Sequence, residues 1–401
     1  MAADTSTQAE VQLAVRRPPA GFWLRPRFLW SFVPFVLVFA VGLGVLARDG
    51  DVLLPFERLA VVEGKIASKA DFFEDAEVQR ILLRHHLRVH FTQGGSRDLA
   101  NTPLDGFDFV FPSGQPAGDL VLSRLKDQGR STTVYKPFTS PIVLGSYREY
   151  AEALRAAGLA TPLDGDADGE PLYYRLQLDG FLAAIESRKR WSELAGGKVA
   201  SSNRITAWSP DICRSNSAGT YMALVAFVRN KNDVPQSEAE AERLANEIKP
   251  LVGVFGLPQS DLFNSYVTPE GKGQPIVVVY EHQFLAYQAQ YHARTQTLDR
   301  DRVLLYPSVN FRTDPVYIPL SPVGERLGRL ITTDPELRRR AVALGFRTLT
   351  PDAEPAGPEF ADYLRGQSIP VPAFLTDVGT TAQLPRLDLL EKMIGITGNC
   401  S

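Results

Sequence analysis

The chain has 401 residues, of which 44% are hydrophobic and 22% charged, and its formal net charge is −3. This balance is typical of a folded globular protein and excludes a long disordered chain. The slight negative charge argues against a nucleic-acid partner, because no basic stripe with interleaved aromatic residues accompanies it.

The first predicted element is a membrane-spanning helix. Phe28–Leu46 contains no charged side chain and is about as long as the ~20 residues that cross a bilayer. Four arginines precede it, whereas Asp49 and Asp51 follow it, which predicts a cytoplasmic N-terminus. A cleaved signal peptide is the alternative, but the apolar run is too long and lacks a convincing cleavage site. We therefore expect a single-pass protein of the cell membrane with a cytoplasmic tail over residues 1–27, a transmembrane helix over 28–48 and an extracytoplasmic domain over 49–401.

Short strands alternate with helices along the rest of the chain, which predicts an α/β domain. Apolar periodicity predicts helices over Phe72–Arg84, Tyr147–Ala157, Leu176–Arg188, Tyr221–Val228, Glu238–Leu251, Gly324–Leu330 and Pro335–Leu344. Alternation and β-branched runs predict extended segments at Leu87–Phe91, Phe107–Phe111, Thr132–Tyr135, Pro141–Leu144, Arg204–Ala207, Ile276–Tyr280, Val303–Tyr306 and Val316–Ile318.

Three loops that follow predicted strands are rich in small polar residues. They are Gly94–Asp98, Ser113–Gly114 and Arg214–Thr220. Glycine permits close approach of a ligand, and hydroxyls with free N–H groups at a helix start favour an anion or another polar group. A helix cap or a turn explains any one loop equally well. Their recurrence at strand ends favours a binding site.

These loops belong to an ordered series of segments that resembles a known family. The segments are Phe72–Asp75, Gly95–Arg97, Lys136–Pro141, Lys189–Trp191, Arg214–Gly219, Val278–Gln283, Leu304–Pro307, Gly324–Gly328, Thr333–Leu337 and Gly345–Arg347. The series resembles the bacterial extracellular solute-binding proteins of the type 2 periplasmic-binding fold, a group met beside von Willebrand A-type proteins. Two departures are the uncleaved helix and the extension Thr348–Ser401, to which we assign no role.

The resemblance implies a two-lobed domain, with lobe 1 at about 58–140 plus about 303–401 and lobe 2 at about 145–300. A small polar or anionic solute would lie in the cleft between the lobes. The ligand-binding positions implied are Gly95, Ser96, Arg97, Ser113, Thr139, Ser140, Asn216 and Ser217, with Glu281 and Gln283 as weaker candidates. The partners it suggests are this solute, the lipid bilayer through Phe28–Leu46, and a membrane or von Willebrand A-type protein.

Arg97 and Arg214 are the candidate anion clamps, because a guanidinium binds a carboxylate or phosphate through two donors. The alternative is a surface ion pair, with Asp98 for Arg97 or with Asp211 for Arg214. Cys213 and Cys400 could form a disulfide outside the cytoplasm or both be free, and the sequence leaves this open.

We expect no catalysis, cofactor or metal, because no nucleophile elbow, phosphate loop or zinc motif is present. The main alternative keeps the fold but uses the cleft to bind a protein partner, as an envelope scaffold subunit. An envelope hydrolase is a third possibility, and it requires a buried serine, a histidine and a carboxylate to converge.

Overall fold

The computed structural model describes residues 32–42, 59–163, 170–194, 199–254, 256, 259–349, 357–372 and 380–400. The chain divides into two units, residues 1–57 and 58–401. In the first unit, residues 32–42 form helix α1, and its apolar side chains are exposed, Phe35 by 72% and Val38 by 73%. Within the described residues no helix is both long enough and apolar enough to span a bilayer. The predicted span Phe28–Leu46 lies partly outside those residues, so the membrane helix stays a prediction.

The second unit is an α/β domain, which confirms the predicted class. Its strands are β1 (Ala60–Ile66), β2 (Leu87–Gln93), β3 (Phe109–Phe111), β4 (Phe138–Thr139), β5 (Ile142–Tyr147), β6 (Ala160–Pro162), β7 (Tyr173–Leu176), β8 (Trp208–Ser209), β9 (Gly253–Val254), β10 (Ile276–Tyr280), β11 (Arg302–Pro307), β12 (Val309–Asn310), β13 (Ile318–Pro319), β14 (Arg347–Thr348) and β15 (Thr380–Thr381). Its α-helices are α2 (Ala70–Glu74), α3 (Ala76–Arg84), α4 (Ser96–Asn101), α5 (Gln115–Asp127), α6 (Arg148–Ala156), α7 (Leu178–Glu186), α8 (Asn216–Arg229), α9 (Glu238–Ile248), α10 (Gln259–Val267), α11 (Glu281–Thr295), α12 (Pro322–Thr333), α13 (Pro335–Ala343), α14 (Gly357–Gly366) and α15 (Leu387–Gly398).

A four-stranded sheet has the order β13-β3-β1-β2. Strands β1, β2 and β3 are parallel, and β13 runs antiparallel to β3. Because side chains alternate across a strand, Phe109 and Phe111 enter one hydrophobic core and Val110 enters a second core on the opposite face. Helices therefore cover this sheet on both sides, and the carboxyl ends of its three parallel strands lie at one edge.

A seven-stranded sheet has the order β6-β7-β11-β5-β10-β8-β9. Strand β5 is antiparallel to both β10 and β11, whereas β8 is parallel to β10 and β7 is parallel to β11. The β-branched run of β10 is buried throughout, in the core that surrounds this sheet. The carboxyl ends of β8 and β10 thus also lie together.

The chain passes between the two sheets at β4, and β4 pairs with β14. After β11 it returns to the four-stranded sheet at β13, and the C-terminal helix α15 packs on α9. Cys213 and Cys400 form a disulfide with their Cα atoms 5.6 Å apart, which resolves the alternative that the sequence left open. The disulfide therefore links the C-terminal extension Thr348–Ser401 to the loop that precedes α8.

Local chemistry accounts for the places where the predicted elements were wrong. The helix expected over Phe72–Arg84 is broken at Asp75, whose carboxylate accepts hydrogen bonds from the amides of Glu77 and Val78 and so caps α3. The strand expected at Arg204–Ala207 is an isolated bridge at Arg204, and regular pairing begins at β8.

Strand β1 was not predicted, because Glu63, Gly64 and Lys65 interrupt its apolar pattern. Gly64 is needed there, since a Cβ would lie 2.2 Å from the Phe109 ring.

Candidate functional site between the two sheets

The three parallel strands of the four-stranded sheet end in loops that carry serine hydroxyls. Ser68 follows β1, Ser96 follows β2 and Ser113 follows β3. The Ser113 amide donates to Ser96 Oγ at 3.1 Å, and the hydroxyls of Ser68 and Ser113 lie 2.6 Å apart. The predicted convergence of small hydroxyls at strand ends is therefore present on this sheet.

The seven-stranded sheet contributes Tyr280, the last residue of β10, and Asn216 with Ser217 at the start of α8. Asn216 Oδ1 accepts a hydrogen bond from the Ala117 amide of α5 at 3.3 Å. A Cβ at Gly114 would lie 2.4 Å from Asn216 Nδ2, so glycine allows the direct contact of the two sets of loops. Ser217 Oγ lies 2.8 Å from Ser215 Oγ, and both are buried.

Three polar atoms at this junction are fully buried without a hydrogen bond to any described residue. One is His282 Nε2, and the other two are Lys69 Nζ and the Tyr280 hydroxyl. Lys69 Nζ lies 3.2 Å from the centroid of the Tyr280 ring, a cation–π contact. A buried polar group without a partner is costly and rare in folded proteins. Lys69 Nζ and the Tyr280 hydroxyl therefore mark the junction as a candidate site.

Burial also shifts the acid–base equilibria of this pair. It lowers the pKa of Lys69 well below the usual 10.5, although the Asp71 carboxylate opposes the shift. It raises the pKa of Tyr280 to about 12, opposed by the polar side chains of Asn216, Ser68, Ser217 and Ser113. These lie within hydrogen-bonding reach of the phenol, although none of them meets the geometry of a hydrogen bond. Since these four come from loops of both sheets, the phenol points into the seam between them.

A serine, a histidine and a carboxylate also converge here, which is the condition for a hydrolase. Ser140 Oγ lies 2.8 Å from His282 Nδ1, and Asp71 Oδ2 lies 3.4 Å from His282 Nε2 without forming a hydrogen bond. Ser140 Oγ also accepts the His282 amide at 3.1 Å, in the first turn of α11.

This arrangement does not fit nucleophilic catalysis. Ser140 Oγ is already engaged by the His282 amide as well as by the ring, so the hydroxyl is held at the start of α11. Burial first and Lys69 second lower the pKa of His282 to about 4, although Asp71 opposes them, which makes the ring a poor base at neutral pH. Ser140 instead completes the amino end of α11.

The predicted acceptor Glu281 is fully buried and fully engaged. The Arg347 guanidinium donates to Oε2 at 2.7 Å and to Oε1 at 3.0 Å, and the Tyr306 hydroxyl donates to Oε1 at 2.6 Å. Gln283 Oε1 accepts the Tyr280 amide at 3.1 Å as part of a capping box. Both predicted candidates support the framework of the site.

The two predicted clamps bind carboxylates of the chain itself. The buried Arg97 guanidinium donates to both carboxylate oxygens of Glu391 on α15 and to the Cys213 carbonyl. Arg214 Nε donates to Asp98 Oδ2 at 2.7 Å, and its side chain is 61% exposed. Both arginines are therefore paired within the chain, with other partners than those expected; the Arg214 pair is on the surface, whereas in the Arg97 pair the guanidinium is buried.

The remaining predicted binding residues, Gly95 and Thr139, lie against backbone carbonyl groups of other segments. Gly95 precedes α4, where a Cβ would lie 2.7 Å from the Arg214 carbonyl. Thr139 Oγ1 donates to the Thr313 carbonyl at 3.0 Å.

The sequence reasoning missed Lys69 and Asp71, and it did not include Tyr280 and His282 among the ligand-binding candidates. The signal for Lys69 was Ser68-Lys69 between a strand and a helix, and it was lost because β1 itself was not recognised. Tyr280 was counted as strand core, although a tyrosine at the last position of a buried strand can extend its hydroxyl beyond the sheet edge.

The site can bind anionic or polar oxygens, because the unsatisfied amine of Lys69 and the phenol of Tyr280 both donate hydrogen bonds. The nearby Glu281 carboxylate is neutralised by Arg347. Among the described residues no group of three or more histidine, cysteine or acidic side chains is arranged to hold a metal ion.

No family model and no curated protein matches this chain. Solved structures with a similar arrangement include the sulfate-binding protein SubI of Mycobacterium tuberculosis, at 14% identity over 80% of this chain and 94% of that one, with a TM-score of 0.43. A substrate-binding protein of an Agrobacterium tumefaciens ABC transporter is 13% identical over 88% of this chain and 96% of that one, with a TM-score of 0.49. The periplasmic binding protein AfuA of Actinobacillus pleuropneumoniae, with bound fructose-6-phosphate, is 10% identical over 83% and 93%, with a TM-score of 0.48.

These three proteins are described as binding proteins for sulfate, for a transported substrate and for fructose-6-phosphate. The association with von Willebrand A-type proteins stays a prediction.

Proposed function

We propose that this chain is a membrane-anchored, extracytoplasmic solute-binding-like protein that holds a small polar or anionic ligand between its two sheets without catalysis. The observation that carries the proposal is the neighbouring pair Lys69 Nζ and the Tyr280 hydroxyl, both buried without a hydrogen-bond partner among the described residues. A ligand oxygen that accepts from both would remove the cost of leaving them unsatisfied.

The surroundings of this pair suit a small ligand. Ser68, Ser113, Asn216 and Ser217 surround the phenol from two sheets. Binding between two sets of loops is the arrangement in which a change of their separation admits and then encloses a ligand. The ligand has to be small, because Gly114 already brings the loops into contact.

Two observations support the placement outside the cytoplasm. The Cys213–Cys400 disulfide is typical of proteins in an oxidising compartment. The arginine-rich flank before Phe28–Leu46 and the acidic flank after it favour an anchor with its C-terminal side outside.

A specific observation favours the scaffold alternative. The predicted polar groups Arg97, Arg214 and Glu281 are all bound by side chains of the chain itself. A protein that binds only a protein partner could keep such a filled seam as part of its framework.

A thermal-shift screen of the full chain in detergent micelles tests the proposal. The library contains inorganic oxyanions, small organic acids, amino acids, neutral sugars and metal salts. A ligand at 100 times its Kd stabilises the folded state by about 2.7 kcal/mol, which raises Tm by about a few degrees. Asn216→Leu should abolish the shift, because it removes the amide from the seam. Asn246→Leu, the same change on the exposed face of α9, should retain it.

A saturable shift that survives Asn216→Leu would place the ligand elsewhere. A flat response from a folded protein would favour the scaffold function instead.

A further inference from the structure

This inference rests on the proposed function and names the class of ligand. We infer that the ligand presents an anionic oxygen, as a carboxylate or an inorganic oxyanion, directly to Lys69 Nζ and the Tyr280 hydroxyl, and that its binding is accompanied by uptake of one proton at Lys69.

The position of Lys69 makes it the charged centre of the seam. It follows Ser68 at the carboxyl end of β1 and directly precedes α2. Its side chain is 0% exposed, its amine has no hydrogen bond within the described part of the chain, and the Tyr280 ring supports it from one side. A purely structural lysine would direct its amine to solvent or to a carboxylate.

The groups that face Lys69 leave room for one more negative charge. From α2, Asp71 acts on it, but the Asp71 side chain is 45% exposed and lies against His282 Nε2. From α11, His282 is fully buried, and burial with the nearby lysine lowers its pKa to about 4. The phenol of Tyr280 is protonated at neutral pH, since burial raises its pKa to about 12. The next carboxylate, Glu281, is occupied by Arg347.

The proton balance follows from these neighbours. Burial lowers the pKa of the Lys69 amine, so the empty site disfavours the ammonium form. An anion in contact with the amine favours that form and raises the pKa again. The amine then takes one proton from solvent, forms a new N–H bond and donates to the anion, with no other bond made or broken. Affinity should therefore fall as pH rises, by up to about tenfold per pH unit between the two pKa values.

Isothermal titration calorimetry of the full chain in detergent tests the inference. The probes are acetate, sulfate and phosphate, with acetamide and glucose as neutral comparators. Each titration is made in Tris and in triethanolamine, whose different heats of ionisation reveal the number of protons taken up. We expect an anion to bind with uptake of up to one proton, and the preferred probe separates carboxylates from inorganic oxyanions.

Three variants identify the groups responsible. Lys69→Met should weaken anion binding about 10- to 100-fold and abolish the proton uptake, because a charge-assisted hydrogen bond is lost. Tyr280→Phe should weaken it about tenfold and keep the uptake. Lys126→Met, the same change on the exposed face of α5, should leave both unchanged.

The stability of Lys69→Met distinguishes lost binding from misfolding. Methionine removes an amine without a partner from a buried position, so the variant should unfold at the same or a higher temperature than the parent chain.

The outcomes separate this inference from the proposed function. An anion that binds without proton uptake, or equally well to Lys69→Met, overturns the inference and leaves the proposed function standing. Binding of only a neutral probe does the same. Failure of every ligand class in the screen overturns both.

Discussion

Lys69 and Arg347 are two buried basic side chains, and of the two only Arg347 is paired with a carboxylate of the described chain. Lys69 Nζ lies 5.8 Å from the centroid of Phe346, the residue that precedes Arg347. Arg347 forms two hydrogen bonds to Glu281, whose other partner is the Tyr306 hydroxyl. Lys69 has the face of Tyr280 beneath it and no hydrogen bond from described residues.

The difference separates a structural charge, that of Arg347, from Lys69, for which we infer a role in binding. A bidentate pair in which both charges are satisfied holds β14 against the start of α11 in one geometry. A buried amine without a partner stabilises the fold less than an apolar side chain of the same size would, so its presence at a buried position favours a role in binding.

Breaking the Arg347 pair should give the largest effect. Arg347→Met leaves the Glu281 carboxylate buried with only the Tyr306 hydroxyl, and should lower the free energy of unfolding by about 3–5 kcal/mol. Denaturant unfolding of the full chain, followed by tryptophan fluorescence, measures the change.

The double variant Glu281→Leu with Arg347→Met is the control. It removes both charges and should recover much of the loss. A double variant as unstable as Arg347→Met alone would show that packing, and not the unpaired carboxylate, causes the effect.

The elements that could be predicted from sequence are those with an uninterrupted pattern. The run Ile276–Tyr280 matches β10, because five apolar residues in succession fit a buried strand. Helix α13 begins where Asp334 and Pro335 indicate a cap and a first turn. Strand β1 was not predicted, because its apolar pattern is interrupted at Gly64. A glycine is needed there to leave room for the ring of Phe109.

The candidate site was predictable in position but not in chemistry. Ser96, Ser113 and Asn216 lie in the seam because strand ends and helix starts are readable from local sequence. The partner of Arg97 could not be predicted, because Glu391 lies 294 residues away in the sequence and only the tertiary structure brings it near. Burial has the same origin, so the sequence alone did not distinguish the unsatisfied Lys69 from any exposed lysine.

The pH dependence of stability provides a second test of the comparison between Lys69 and Arg347, through His282, which lies near Lys69. The pKa of His282 is lowered from 6.5 to about 4, by burial first and by Lys69 second, with Asp71 opposing. Between these values the unfolded chain binds a proton that the folded chain does not. Stability should therefore rise with pH from about 4 to about 6.5, by about 3 kcal/mol from this group.

His282→Phe isolates this contribution, because it keeps a ring against Phe346, on which the imidazole stacks at 4.0 Å. The measurement is the free energy of unfolding of both proteins across that pH range. The parent chain should gain stability relative to the variant as pH rises. Parallel curves would mean that His282 titrates alike in the folded and unfolded chains.

The two predicted clamps provide the smallest and most selective test. Arg97 is 8% exposed and bound by Glu391, whereas Arg214 is 61% exposed and bound by Asp98. Arg97→Met should cost about 2 kcal/mol, because it strips a charge-assisted pair that joins α4 to α15. Arg214→Met should cost less than about 1 kcal/mol, because water screens an exposed pair.

Neither variant should change anion affinity more than about twofold, since both arginines are already neutralised by the chain and the inferred ligand contacts are Lys69 and Tyr280. Calorimetry with the preferred anion measures this beside the unfolding experiments. A large loss of affinity in Arg97→Met, with Lys69→Met unaffected, would mean that the ligand displaces Glu391, and it would move the binding site from the lysine to the arginine.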